Sequence, residues 1–383
     1  MRGRGLRIVL VALAGFLAGA FLVFWLFGAS AGAREADIES RAGAYRRFVN
    51  AFWSRAHRAG ISARTYKRAF RDLRPDADVL RLLHRQPEFR LSAEDYLRQR
   101  LTEKRIMTGV AMLRRHRALL RRLQLRFGVD KHILLAIWGI ESNYGTHTGK
   151  HEVIRALTTL AVFGGRYRRY GRRQLLAALK ILQAGDISVA GMRGSWAGAM
   201  GQTQFIPTTY LGYAVDIDGD GRRDIWNSVA DGLGSAANYL KRRGWRRGLP
   251  WGWEVRVPER ARRLIGRRHA RTVAAWERLG VRPQHARAFY ARRARAWLVR
   301  LRGSGRHFLV TRNFRALLAY NNARTYAVAV GLLADAIARA ASNPEALIGE
   351  RRVPEATASI SARERARLEA LAAAAAAGLP TPR

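Results

Sequence analysis

The chain has 383 residues and a formal net charge of +42, from 70 Lys plus Arg against 28 Asp plus Glu. It has no cysteine, which excludes disulfides, thiol catalysis, Cys-ligated zinc and N-terminal cysteine lipidation. The length is enough for roughly two or three domains, and the Arg residues scatter through every segment rather than forming one stripe.

Arg2, Arg4 and Arg7 precede an uncharged apolar run, Ile8–Phe27. This is an export pattern, longer than the ~7–15 residues of a signal h-region and near the ~20 that span a bilayer. Ala29-Ser30-Ala31 offers a small-residue cleavage site. Residues 1–32 are therefore read as a signal peptide or an N-terminal membrane anchor. Either places the rest outside the cytoplasmic membrane: periplasmic and soluble after cleavage, or anchored by residues 8–27. An exported chain meets anionic wall and lipid rather than nucleic acid.

Arg41–Arg122 is predicted to be mostly helical, with apolar faces at Phe48, Phe52, Ala56 and Ile61 and at Ala93, Tyr96, Leu97 and Leu101. Met107–Phe127 continues as a basic amphipathic helix, and Gly128 and Asp130 then break and cap the chain. The next stretch, Ile133–Tyr144, is apolar nearly all round, which predicts a buried helix. It delivers one carboxylate, Glu141, followed by Ser142, Asn143 and Tyr144. A helix C-terminus and apolar neighbours both disfavour the anion, so this position suits a general acid. A solvated Glu at a helix end is the plain alternative.

Two helices follow, Arg155–Ala161 and Arg172–Gln183, parted by Gly164-Gly165 and ended by Gly185-Asp186. The segment Gly191–Pro207 mixes small residues with Ser195, Trp196, Met200, Gln202, Gln204 and Phe205. Small residues admit close backbone approach, and the polar and aromatic ones suit hydroxyls, amides and sugar faces. His147 and His151 are four apart without an evident third ligand, so no zinc site is read there.

Asp216-Ile-Asp-Gly-Asp-Gly-Arg-Arg-Asp224 matches a calcium loop, with oxygens at Asp216, Asp218, Asp220, the Arg222 carbonyl and Asp224. The twelfth position holds Asn227 instead of Glu, and Asp231 is the acid able to close the shell. The expectation is one structural Ca2+ and no organic cofactor. After the helix Gly232–Arg242 the period changes: Trp253–Val257, Trp297–Leu301 and His307–Thr311 alternate like strands, around a helix at Ala270–Arg278. Phe314–Ala340 returns to helix and carries Tyr320 and Tyr326.

Six stretches in this order carry a resemblance: Ala136–Gly145, Gly194–Gly201, Gln204–Pro207, the Asp216 loop, Ala237–Leu240 and Tyr320-Asn321. Over roughly Tyr45 to Ala340 the chain resembles the membrane-bound lytic murein transglycosylase B family. The resemblance implies a mainly α fold: a lysozyme-like helical core with an additional N-terminal helical domain and a small inserted β-containing domain. It implies cleavage of the β-1,4 bond between N-acetylmuramic acid and N-acetylglucosamine, leaving 1,6-anhydromuramic ends. Glu141 falls on the acid/base, and Ser142, Tyr144, Ser195, Met200, Gln204, Phe205, Tyr239, Tyr320 and Tyr326 on the glycan site. Gln202-Thr203 departs from relatives with an aromatic and a Gly there.

The expected division is an N-terminal helical domain (40–115), the first part of the core (116–250, with the loop 216–231), an insertion (251–312), a final core helix (313–345) and a mobile Ala-rich tail (346–383). Implied partners are glycan strands, cell-wall synthases, and the membrane if the N-terminal segment is uncleaved. The rival is a non-catalytic peptidoglycan-binding scaffold, which an intact Glu141 argues against.

Overall fold

The computed structural model describes residues 39–71, 74–84, 92–286 and 288–342. The predicted export segment and Ala-rich tail lie outside the described residues.

Helices dominate. The first spans 39–58, followed by Ala63–Ala69, Ala77–His84 and Ala93–Arg100. Ser62 and Ser92 cap two of these by accepting from the backbone N–H three residues on. The predicted helix Met107–Phe127 is in fact two, Glu103–Arg115 and Arg117–Phe127. The break falls at His116, where φ −108° and ψ 25° leave the helical region and the ring meets Trp138 edge-on at 5.6 Å. Gly128 then turns left-handed at φ 72°, and Asp130 caps the buried helix Lys131–Ser142.

Val229–Arg242 packs on this helix, while Val153–Phe163 packs on Arg168–Ala184 and Pro207–Tyr213 bridges Arg168–Ala184 to Val229–Arg242. The predicted helix Phe314–Ala340 is also interrupted, as Arg312–Tyr320 and Arg324–Ser342. Asn321 is extended (φ −142°, ψ 122°), and its Oδ1 accepts from the Ala323 N–H, which starts the second helix. That last helix has the length and apolarity of a membrane span, yet it is a core helix packed against Lys131–Ser142.

The strands are short: β1 His151–Glu152 pairs with β2 Arg193–Gly194, while β3 Gly252–Arg256, β4 Arg271–Thr272, β5 Arg282–Pro283, β6 Arg295–Arg300 and β7 His307–Thr311 make an antiparallel sheet of order β4-β6-β7-β3-β5. The predicted helix Ala270–Arg278 begins only at Val273, because Arg271 and Thr272 pair as β4. Alternation along β6 sends Trp297 and Val299 to the main core, and Ala296 and Leu298 to a smaller one around Trp276 and Phe289. Both faces are therefore covered, which explains the apolar run in β6.

The N-terminal helices share the main core with the rest, from Tyr45 and Phe52 to Ile337. Polar ties reinforce the join. The Asp76 N–H donates to Thr159 Oγ1, His151 Nδ1 meets Asp76 Oδ2 at 2.8 Å, and Arg306 Nη1 lies 3.7 Å from Glu94 Oε2.

Candidate active site

Glu141 is the penultimate residue of the buried helix, and it is half-buried while Ile133–Ile140 behind it are buried. Asn143 and Tyr144 then take left-handed conformations (φ 49° and 58°), which reverse the chain sharply after the acid. The Tyr326 hydroxyl donates to Glu141 Oε1 at 2.5 Å. Burial pushes the Glu141 carboxyl up to about 7, opposed by the Tyr326 hydrogen bond and by the Arg100 charge. Tyr326 itself is held well above the usual phenol range by burial and by Glu141, so it remains a donor.

The Gly191–Pro207 segment is brought against this helix by specific bonds. Ser142 Oγ donates to the Gln202 carbonyl at 2.6 Å, and Trp138 Nε1 donates to Gln202 Oε1 at 2.7 Å. Gln204, at φ 52°, donates through Nε2 to the carbonyls of Thr148 and Gly201. Ser195 Oγ accepts from the Ala199 N–H and so shapes its own turn. Tyr320 donates to the Thr203 carbonyl at 2.8 Å.

The aromatic side chains form a ladder. Tyr239 meets Tyr320 at 5.1 Å between ring centroids, Tyr320 stacks on Tyr326 at 6.4 Å, and Tyr326 reaches the acid. Phe205 supports Tyr239 and Tyr320 from 5.8 Å each.

Of the predicted site residues, Glu141, Ser195, Gln204 and Tyr320 keep partial exposure. Ser142, Tyr144, Met200, Phe205, Tyr239 and Tyr326 are buried. Ser142, Tyr144, Met200 and Phe205, expected from the sequence to lie on the glycan site, also make internal contacts that hold it. Ser142 has its hydroxyl bound internally. Tyr144 donates to the Arg105 carbonyl and fills a slot that exists because residues 109 and 139 are glycine: a Cβ on Gly139 would lie 2.7 Å from its ring. Met200 and Phe205 pair through their backbones under the tyrosines.

Three residues outside the predicted site set also belong here. Gln202 is a buried tie: besides Trp138 and Ser142, it bonds the carbonyls of Ile225 and Trp226 and so joins the acid helix to the Asp loop. The sequence offered it as one of the polar side chains of Gly191–Pro207 and as a departure from the family pattern, but not as an internal tie. Tyr96 and Arg100 come from the helix Ala93–Arg100, some forty residues upstream, and both act electrostatically on the acid or its tyrosine. Arg105 places that helix, donating to the carbonyls of Gln99, Arg100 and Gly139.

In the Asp loop the carboxylates of Asp216, Asp218, Asp220 and Asp231 converge, with one oxygen of each within 4.8 Å of the others. Asp224, predicted as a ligand, is outside this set. Its carboxylate is taken by the N–H groups of Trp226 and Asn227 and by Asn227 Nδ2. Asp216 accepts from Gly219 and Gly221, Asp218 from Ser228, and Asp231 from Ile217 and Asp224. The Arg222 N–H donates to Asp220. Four convergent hard oxygens suit a calcium-sized cation.

Such a core, with a single acid ending its central buried helix, defines a lysozyme-like class of glycan-cleaving fold. Residues 44–335 match the model of the transglycosylase SLT domain, and the chain belongs to that family. It is 31% identical over 252 residues to the membrane-bound lytic murein transglycosylase B of Escherichia coli, covering 64% of this chain and 67% of the relative. Among solved structures it resembles SltB3 of Pseudomonas aeruginosa in complex with NAG-anhNAM-pentapeptide, at 46% identity and TM-score 0.73, covering 77% of this chain and 79% of that one. It also resembles the Escherichia coli lytic transglycosylase Slt35 in complex with calcium, at 26% identity and TM-score 0.63, covering 78% and 94%.

Proposed function

We propose that this chain cleaves the β-1,4 bond between N-acetylmuramic acid and N-acetylglucosamine in peptidoglycan without adding water. The observation that carries the reading is the solitary acid. Among the described residues the side chains that act on Glu141 are Tyr326, which bonds it, and Arg100, and neither is a carboxylate. A two-carboxylate glycosidase needs a second acid roughly 5–9.5 Å away. A carboxyl near 7 is protonated often enough at neutral pH to act as general acid.

Tyr326 holds Oε1, which leaves Oε2 to face the glycosidic oxygen. Glu141 protonates that oxygen as the bond to muramic C1 breaks. The substrate's own N-acetyl group stabilises the resulting charge, as in substrate-assisted glycosidases. Glu141, now a carboxylate, takes the proton from the muramic C6 hydroxyl as its oxygen attacks C1. Bond and proton are both restored, and no water is consumed. Mass spectrometry of products from purified wall checks this: anhydromuropeptides, one water lighter than hydrolysis products, are expected. Reducing muramic ends as the main product would make the enzyme a hydrolase, and no products at all would favour a scaffold.

The loop carboxylates of Asp216, Asp218, Asp220 and Asp231, with the Arg222 carbonyl, are the residues we assign to one structural calcium. The ion would neutralise the clustered charge and hold the loop that Gln202 ties to the acid helix. It takes no part in bond cleavage. The apolar run Ile8–Phe27 supports a periplasmic catalytic domain, soluble or tethered.

A further inference from the structure

A second polar constellation has no part in the reaction above. Arg243, Arg312, Arg315 and Ala319 line a cavity of about 230 Å³. Arg243 closes the helix Val229–Arg242, and Arg312 and Arg315 lie in the first turn of Arg312–Tyr320. Buried Asn313 locks the two together. It accepts from the Arg246 N–H at 2.7 Å, and its Nδ2 donates to the carbonyls of Arg246 and Leu249. Arg243 is further fixed with its guanidinium 5.2 Å from the ring centroids of both Tyr213 and Tyr239.

Some guanidinium groups find acids, as Arg223 does with Asp186 and Arg306 with Glu254, although basic residues outnumber acids 70 to 28. Among the described residues no carboxylate pairs with Arg243, Arg312 or Arg315. Arg312 and Arg315 also stand three apart at the positive end of a helix dipole, where cations destabilise. The arrangement repels itself until an anion enters. Guanidinium forks match carboxylates in geometry as well as charge.

The cavity adjoins the aromatic ladder, since Ala319 precedes Tyr320 and its carbonyl accepts from the Tyr239 hydroxyl. From Arg243 the ladder runs through Tyr239, Tyr320 and Tyr326 to Glu141. We propose that Arg243, Arg312 and Arg315 form a carboxylate subsite, continuous with the glycan groove, that takes an acidic group of the peptide stem carried by muramic acid. The proposal rests on the peptidoglycan reading. The four lining residues are exposed, and it is the contact of this open hollow with the site tyrosines, through Arg243 on Tyr239 and the Ala319 carbonyl, that favours a stem side chain over an anionic lipid surface, which would need no such contact.

The test is the double variant Arg312→Gln, Arg315→Gln in the full chain. The parent and variant are compared on uncrosslinked glycan strands with their stems, and on the same strands stripped by an amidase. The ratio of kcat/KM on stem-bearing to stripped strands is expected to fall by about tenfold or more, the worth of one or two charge-assisted hydrogen bonds. Equilibrium binding of a labelled disaccharide-tripeptide, and of its carboxyl-amidated form, needs no turnover and separates failure of this subsite from failure of the enzymatic reading. The parent should prefer the free carboxylates and the variant should not. An unchanged ratio with unchanged binding preference would overturn the subsite. So would variant-specific loss of binding to phosphatidylglycerol vesicles with stem preference intact. A melting temperature no lower than the parent's, expected because repulsion is relieved, shows that the variant is folded.

Discussion

Glu141 and the Asp loop are two opposite settings for a carboxylate, one enclosed and solitary, the other clustered and, at Asp218 and Asp220, open to water. Glu141 stands alone at the end of an apolar helix, and burial makes its charge costly. The loop crowds four carboxylates together and compensates with backbone N–H groups from Ile217, Gly219, Gly221, Arg222 and Asp224. A lone, poorly solvated acid holds and releases a proton. A cluster of convergent oxygens, oriented by backbone donors, offers ligands to a cation. The same functional group thus becomes a proton carrier or a ligand according to what surrounds it. Gln202 connects the two regions, so the contrast can be tested from either side.

The largest expected effect is on chemistry. Glu141→Gln should fold and should lose wall-lytic activity by about 10³-fold or more, since general acid–base catalysis alone is worth roughly 10²–10⁴ and one residue acts in both half-reactions. Release of soluble muropeptides from purified wall measures it. Full activity in this variant would remove the distinction between the two regions. In the parent, activity should decline as pH rises through about 7, where Glu141 loses its proton.

The loop should respond to metal instead. Calcium at a hundredfold excess over Kd should stabilise the parent by about 3 kcal/mol, because only the folded state gathers the four acids. Asp220→Ala is the suitable control: Asp220 is exposed and bonds the Arg222 N–H, so its removal disturbs little else. The calcium-dependent rise in melting temperature should vanish in it. A parent that melts at the same temperature with calcium and with chelator would count against the site.

A third expectation separates stability from activity. Glu141 is raised in the folded state relative to an unfolded value near 4.5, so the folded state binds more protons between those limits. Its contribution is favourable below pH 4.5 and is lost as pH rises to about 7. Glu141→Gln carries no such charge. It should therefore be more stable than the parent at pH 8, by about 1–3 kcal/mol, and indistinguishable at pH 4. Denaturant melts at the two pH values test the sign; a variant that is less stable at pH 8 would mean the anion is well accommodated.

Much of this was legible in the sequence because it is local. An apolar helix ending in one acid, capped by Asp130, needs only its own residues to be read. Alternating aspartates with glycines between them announce a loop by spacing alone. What escaped depends either on side chains that compete for backbone groups in a local turn or on contacts distant in sequence. Asn321 looked like a polar position within one helix, yet it starts a second one. Asp224 fitted the calcium spacing, but a nearby turn claims its oxygens. Met200 and Phe205 sit in a segment rich in ligand-like residues, and only the fold turns them inward. Arg100 and Tyr96 share no motif with Glu141 and reach it because Arg105 clamps one helix to another.

The smallest effect concerns the one hydroxyl that touches the acid. Tyr326 donates to Glu141 Oε1, and this bond favours the anion against the burial that disfavours it. Tyr326→Phe removes the donor and keeps the ring stacked on Tyr320. The carboxyl should then titrate higher still, because burial is left less opposed. The alkaline limb of the pH–activity profile should move up by about one unit, equivalent to about 1.4 kcal/mol. The rate at the optimum should fall by roughly tenfold, as the carboxyl loses the bond that fixes which oxygen faces the glycosidic bond. These two readouts need not move together, and that is their use. A lower rate with an unmoved limb would make Tyr326 a positioning group alone. A limb displaced to lower pH would reverse the sign argued here and mean that the hydroxyl serves the protonated acid, as an acceptor. In the Asp loop the nearest equivalent is Ser228, whose hydroxyl donates to Asp218, whereas Asp216, Asp220 and Asp231 are served by backbone donors that substitution leaves in place.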